Sequence, residues 1–356
     1  MHNWNKSTLR RVRSVALFVF ILGVIISQVI RSNSVLFSQT STEVPAFESD
    51  GKTDNATLVF IVSNDPAKSW AEAEPETIEA KVLNFNSASI VYQLLPDLSM
   101  RNRPSNAVGK VIFSWATKDA VDADLAFRNG QYPEVIRLGK AAISSGKLPN
   151  WQQRFLVAKM VDSFWQINQK VIAGNLFLSL LKDSAPRLIY DSAPLLWQTT
   201  KVDAAMTEAA NAWLKDTESK DAQLLGASWL LGTSGSSEAK SILENISQDS
   251  DTFLARLATA QLWRIATPKD VATKYVDWQS IRDSLPVPIQ IGPTLAIADK
   301  LERASLPGQA LQEYVRLIAI QENQPSILRL AQERAAEILR SLNRVDEANL
   351  ILKSPN

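Results

Sequence analysis

A mainly α fold is predicted, in three parts: an N-terminal transmembrane helix, a small antiparallel β-unit and an α-solenoid of helical hairpins. Three observations carry this. An uncharged run follows four cations near the N-terminus. Apolar and polar residues then alternate with period two across residues 58–116. Beyond residue 119 the apolar period becomes helical, and small residues recur at spacings of 32 to 38.

Bulk composition narrows the chemistry first. The chain has 356 residues, 46% of them hydrophobic, enough for two modest domains and an anchor. Lysine plus arginine (38) nearly balance aspartate plus glutamate (37), so no strongly basic domain for nucleic acid is present. Cysteine is absent, which removes disulfides, thiol nucleophiles and cysteine-containing metal sites. The single histidine, His2, precedes the apolar run, so a Ser-His-Asp triad or an HExxH zinc site is impossible in the main body. The chain is therefore expected to be no enzyme and to carry no cofactor or metal.

The first element is the anchor, residues 1–31. Lys6, Arg10, Arg11 and Arg13 precede Ser14–Ile30, whose only polar side chains are Ser14, Ser27 and Gln28. Crossing the hydrocarbon core takes roughly 17–25 apolar residues, so this run sits at the short end. Four cations before it, against Arg31 just after it, predict a cytoplasmic N-terminus and an extracytoplasmic (periplasmic) body. A cleaved signal peptide is the rival reading. Ile30 and Arg31 stand where small residues would mark a cleavage site, which favours an uncleaved anchor.

Residues 32–57, rich in Ser, Thr, Asn, Asp and Gly, read as a flexible tether. The β-unit follows over 58–116, with strands expected at Leu58–Val62, Thr77–Phe85, Ala88–Leu95 and Ala107–Trp115. A unit this small would be marginal alone, so it should pack on the helices that follow.

The helical part divides at Asp283–Pro293, DSLPVPIQIGP, whose three prolines predict a break between block 1 (119–285) and block 2 (294–354). Amphipathic spacing is clear in Ser326–Leu342. There Ile327, Leu330, Ala331, Ile338, Leu339 and Leu342 share one side, and Arg329, Glu333, Glu337 and Arg340 the other. Seven positions set a ladder: Val135, Ala173, Ala205, Ala239, Ala272, Ala310 and Ala348. Twelve residues before each stands a small or β-branched residue, from Ala123 and Val161 to Ala298 and Ala336. Nine before each, large apolar residues predominate, such as Phe164, Leu230, Trp263 and Leu339. Small residues let two helices approach closely, and large neighbours fill the groove between hairpins.

This layout resembles the tetratricopeptide repeat, most clearly in FRNGQYPEVIRLGKAA (Phe127–Ala142) and ADKLERASLPGQALQEYVRL (Ala298–Leu317). The family's first-helix glycine is replaced by alanine or valine, and Pro194 should leave the unit around Ala193 with one regular helix. With NWQQRFLVAKMVDSFWQ (Asn150–Gln166), the whole chain looks like membrane-anchored bacterial envelope proteins that carry repeat domains. The resemblance implies a helical solenoid that binds a protein segment in its groove.

Chemical motifs do not survive inspection. Gly139–Lys147 spaces its glycines wrongly for a phosphate loop, and Leu148 follows the lysine. Ser144/Lys147 and Ser237/Lys240 lack the further elements that serine–lysine enzymes need. Carboxylate-pair glycoside chemistry needs no histidine, but nothing corresponds to the Gly-Leu-Met-Gln turn of proteins resembling lytic transglycosylases. Ten tryptophans are expected mostly in the core, with one or two free to anchor a partner. In the repeat register the groove-facing positions are Asp162, Trp165, Gln261, Arg264, Glu337 and Arg340. The expected function is a membrane-anchored, non-catalytic protein-interaction scaffold of the cell envelope. The alternative is a cell-wall glycan-binding or glycan-processing protein, and an assembly subunit whose groove holds a neighbouring copy is a third reading.

Overall fold

A computed structural model describes residues 55–62, 74–198, 200–320 and 325–353, all within a single unit spanning 53–356. The apolar run at 14–30 and nearly all of the expected tether lie outside the described residues. None of the described helices is long and apolar enough to cross a membrane.

The β-unit is an antiparallel sheet of five strands: β1 (Asn55–Val62), β2 (Glu74–Phe85), β3 (Ser89–Leu94), β4 (Met100–Pro104) and β5 (Val108–Phe113). Their order is β4-β3-β2-β1-β5. Alternation places Ala56, Leu58, Phe60, Ala80, Val82, Ile90, Tyr92 and Val108 in one core. Phe85 joins that core although it stands three residues after Val82. A bulge explains this: Val82 pairs with Tyr92 and Asn84 with Val91, so Leu83 is the extra residue that resets the alternation. Gly109 plays the same part in β5, where Val59 faces Lys110 and Phe60 faces Val108. Strand β4, MRNRP, has no apolar alternation and was not expected from the sequence. It is an edge strand carrying Arg101, Arg103 and Pro104, residues that discourage further pairing.

Thirteen helices follow among the described residues: α1 (Lys118–Arg128), α2 (Tyr132–Ser144), α3 (Asn150–Gln166), α4 (Lys170–Lys182), α5 (Ala204–Leu214), α6 (Lys220–Leu230), α7 (Ser236–Ser247), α8 (Thr252–Leu262), α9 (Pro268–Asp283), α10 (Ile291–Arg303), α11 (Pro307–Ile320), α12 (Pro325–Ser341) and α13 (Val345–Lys353). Together they form a helical array in which consecutive helices pack on one another. Side-chain caps start several of them: Thr117 for α1, Asp203 for α5, Ser219 for α6, Asp251 for α8, and a Thr267–Asp270 capping box for α9. The sheet rests on α3, where Trp151 meets Phe113 at 4.7 Å and Phe155 meets Phe85 at 6.1 Å.

Five of the seven ladder residues, Val135, Ala173, Ala239, Ala310 and Ala348, are the fourth residue of α2, α4, α7, α11 and α13, and all are fully buried. Ala272 is exposed, and the fourth residue of α9, Val271, takes its place, so the register slips by one there. Ala205 is exposed as well, near the start of α5. The positions nine before each are buried throughout, and those twelve before are buried except Ala193.

The unit around Ala193 departs most. A 3-10 turn at Arg187–Ser192 and an extended stretch to Gln198 stand where a first helix would be. This strap lies against several later helices. Trp229 Nε1 donates to Pro194 O at 2.7 Å, and Leu196 N donates to Ser228 Oγ at 2.9 Å. Arg187 pairs with Asp251, Tyr190 with Asp221, and Trp197 lies on Gly292. Leu188, Ile189, Leu195 and Leu196 are buried beneath it.

The proline-rich stretch at 283–293 links α9 to α10. Pro286 precedes a short 3-10 turn that contains Pro288, while Pro293 sits in the first turn of α10. Proline is tolerated there because its missing N–H would have no intrahelical partner. One apolar core runs across this stretch, from Trp263, Val271 and Trp278 to Ile291, Leu295 and Tyr314.

Candidate binding cleft

The turn after α1 and the outer side of α12 meet across a cleft of about 470 Å³. That lies within the ~300–1,000 Å³ usual for small-ligand sites. One wall is Arg128, Asn129, Gly130 and Tyr132; the other is Ser326, Arg329, Leu330 and Glu333. Gly130 has a φ of 69°, a left-handed turn that costs glycine little, and this swings the chain from α1 into α2. Tyr132 packs edge-on against Phe127 at 6.1 Å, which fixes its ring at the cleft.

Behind the first wall the charges are tied. Asp124 is buried and accepts from Arg128 and, at 3.0 Å, from Lys159. Burial alone would raise the Asp124 carboxyl, but Lys159 and Arg128 outweigh that and hold it below its usual value. Lys159 also lies over the Phe127 ring at 4.5 Å.

Asp162 is placed differently. It projects from α3, next to Lys159 by one helical turn, and among the described residues no hydrogen bond or ion pair holds its carboxylate. Burial, then the charge of Asp191, push its carboxyl well above the carboxylate range, with Lys159 opposing. Asp191 keeps solvent contact, yet protein crowds its carboxyl and burial raises it to about 6. The Tyr132 phenol is raised by burial and by Asp162, which links this acidic pair to the cleft wall. One turn further along α3, Gln166 Nε2 donates to Ser326 Oγ at 3.4 Å across the mouth.

The six groove residues expected from the repeat register separate into two sets. Asp162 and Trp165 both project from α3 but neither lines the cleft: Asp162 acts on the Tyr132 phenol, and Trp165 is half-buried, 6.1 Å from Trp229, with Lys170 over its ring at 5.3 Å. Glu337 and Arg340 are exposed and continue the α12 row Ser326, Arg329, Glu333 at helical spacing. Glu337 accepts from Arg334 at 2.7 Å. Gln261 and Arg264 do not face a groove. Gln261 is fully buried, and Arg264 donates to Ser228 O at 2.7 Å, to Gln261 Oε1 at 2.8 Å and to Gln198 O at 3.5 Å. The strap occupies the space that a partner would need, and burial lowers the Arg264 guanidinium to about 10.

Arg128, Tyr132, Arg329 and Asp191 were not among the expected groove residues. Arg329 and Glu333 make no ion pair among the described residues, although they stand four apart on α12. Among the described residues the cleft thus offers a cation and an anion without ion-pair partners, an aromatic edge at Tyr132 and an apolar patch at Leu330, a mixture suited to holding a polar segment. No group of three or more metal-binding side chains is placed to hold an ion among the described residues. No protein-family model, curated protein or solved structure matches the chain.

Proposed function

We propose that this chain is a membrane-anchored, non-catalytic interaction scaffold of the cell envelope, with its folded body outside the cytoplasm. The uncharged run Ser14–Ile30 behind four cations supports the anchor and the orientation. A tetratricopeptide-like solenoid is the finer reading of the helical array, supported by the small residues at its helix contacts. The observation that carries the binding role is the cleft itself. Two parts of the chain some two hundred residues apart build it, and Arg329 and Glu333 line it with no ion pair among the described residues. The partner is a protein segment; neither a cofactor nor nucleic acid is invoked.

The test is co-purification of the tagged full chain from its native membranes, beside an Arg329→Ala/Glu333→Ala variant with an unchanged circular dichroism spectrum. A protein recovered with the parent and lost from the variant is expected. Equal recovery with both would remove the cleft from the account.

A second reading, a glycan-binding or glycan-processing protein, is favoured by one observation. Asp162 and Asp191 are neighbouring carboxyls raised by burial, the setting in which one acid keeps its proton near neutral pH. Release of reducing sugar from purified cell wall, lost in Asp162→Asn, would move the assignment there.

A further inference from the structure

The β3–β4 hairpin ends in an apolar tip that the fold does not use. Leu98 is 53% exposed and Met100 47% exposed. Leu98 also has a φ of 57°, in the left-handed region that side chains other than glycine, asparagine and aspartate seldom adopt. The turn is nonetheless firmly made. Leu98 N donates to Leu94 O at 2.8 Å, and Leu94 N to Ser99 O at 3.0 Å. Asp97 Oδ1 accepts from Ser99 N at 3.1 Å and from Ser99 Oγ at 3.0 Å, so the tip's one acid is already engaged. Arg101, exposed beside Met100, makes no ion pair among the described residues. An asparagine or glycine at 98 would suit the backbone better and a polar residue would suit water better. Leucine there is unfavourable on both counts.

Strand register shows which way the tip points. Asn55 pairs with Lys81, Lys81 with Gln93, and Gln93 with Met100. The start of β1 and the tip therefore lie at the same end of the sheet, three strand spacings apart, or about 15 Å. Asn55 is where the chain arriving from the apolar run at 14–30 enters the sheet.

We propose that the Leu98/Met100 tip inserts into the surface of the phospholipid bilayer, with Arg101 at the lipid phosphates. The inference rests on the membrane-anchor reading and deepens it. The anchor fixes the chain to the bilayer, and the tip fixes the orientation of the sheet, and of the helices on it, relative to that surface. Apolar side chains at the acyl boundary flanked by a cation are the usual composition of such a contact.

The chain lacks cysteine, so Leu98→Cys and Met100→Cys each give a single site for an environment-sensitive fluorophore. Val276→Cys on α9, where Val276 is 72% exposed, is the reference. Each full-length variant, checked for fold by circular dichroism, is reconstituted in phosphatidylcholine–phosphatidylglycerol vesicles. Both tip labels should shift to the blue and lose most of their emission to doxyl-labelled lipid, while the Val276 label answers to aqueous iodide. Tip labels that behave like the reference, in protein that floats with the vesicles, would overturn the tip contact and leave the anchor standing. Labels shielded from iodide but not quenched by lipid would overturn it in favour of a protein contact. Protein that fails to float would remove both.

Discussion

Gly226 is a position where helix packing leaves no room for a side chain because the neighbouring atoms are backbone. It lies in α6 against the backbone of α5. A Cβ added there would stand 2.5 Å from Ala210 O and 2.9 Å from Leu214 N. Ordinary non-bonded separations are ~3.5 Å or more, so α5 would have to retreat by about 1 Å. Overpacking of this kind costs about 1–3 kcal/mol. The upper half applies here because the obstructing atoms belong to a helix backbone, which moves only as a unit. Alanine returns about 0.8–1.0 kcal/mol of helix propensity. Gly226→Ala should therefore lose about 1–2 kcal/mol, a fall in melting temperature of about 2–8 °C at the ~2–4 °C per kcal/mol of larger domains. Gly139→Ala is the matched control. Its Cβ would meet Met160 Sδ at 2.7 Å, and a flexible thioether can swing aside. That variant should be neutral or slightly stabilised. Thermal melts of the full chain in detergent, followed by far-ultraviolet circular dichroism, compare the two. A Gly226→Ala protein as stable as the parent, or equal damage from both changes, would refute the packing argument.

Other expectations follow from the charge pattern. Asp162 and Asp191 have folded pKa values raised above the unfolded carboxylate value, so the folded state holds their protons more tightly. Both contributions to stability should fall as pH rises, that of Asp191 from about 4 through about 6, and Asp191→Asn should flatten a plot of melting temperature against pH in that window. Asp251 behaves oppositely: burial would raise it, but Arg187 holds it low. Its contribution is present above pH ~4 and lost as pH falls below that, and Arg187→Ala should abolish this acid sensitivity in the same plot. Arg282 and Glu313 are both almost fully buried and paired, with Tyr275 and Gln279 also donating to Glu313. Arg282 also pairs with Asp283, which still holds it when Glu313 is lost, so Glu313→Ala should cost less in urea unfolding than the ~3–5 kcal/mol of an isolated buried pair.

Much of this architecture could be read from local pattern because local pattern causes it. Period-two alternation found four of the strands, and helical spacing with small residues found the contact positions of most second helices. Failures came where distant parts of the chain decide the outcome. β4 forms at an edge, where Arg101 and Arg103 need no apolar face. Residue 272 was one position off because Val271 and Ala272 are equally acceptable on a helix whose partner is unknown. Gln261 and Arg264 were assigned to a groove on a repeating register, but the stretch around Ala193, two ladder steps before theirs, forms no regular helix. Its strap fills their space, and only Pro194 hinted at that. The cleft depends on residues 128–132 meeting residues 326–333, a closure that no local signal encodes. None of the expected residues lines it: Asp162 reaches only its Tyr132 wall, and Glu337 and Arg340 continue the α12 row beyond it, because helical faces are legible while the meeting of those faces is not.

The most direct test of the account places a photo-crosslinking residue at Asn129 and at Arg329, one on each wall of the cleft, in the full chain in living cells. Val276 on α9 serves as the reference position. A single protein partner captured from both walls and not from the reference is the predicted result. Glycan adducts, self-adducts alone, or identical products from all three positions would contradict a cleft that holds a protein partner.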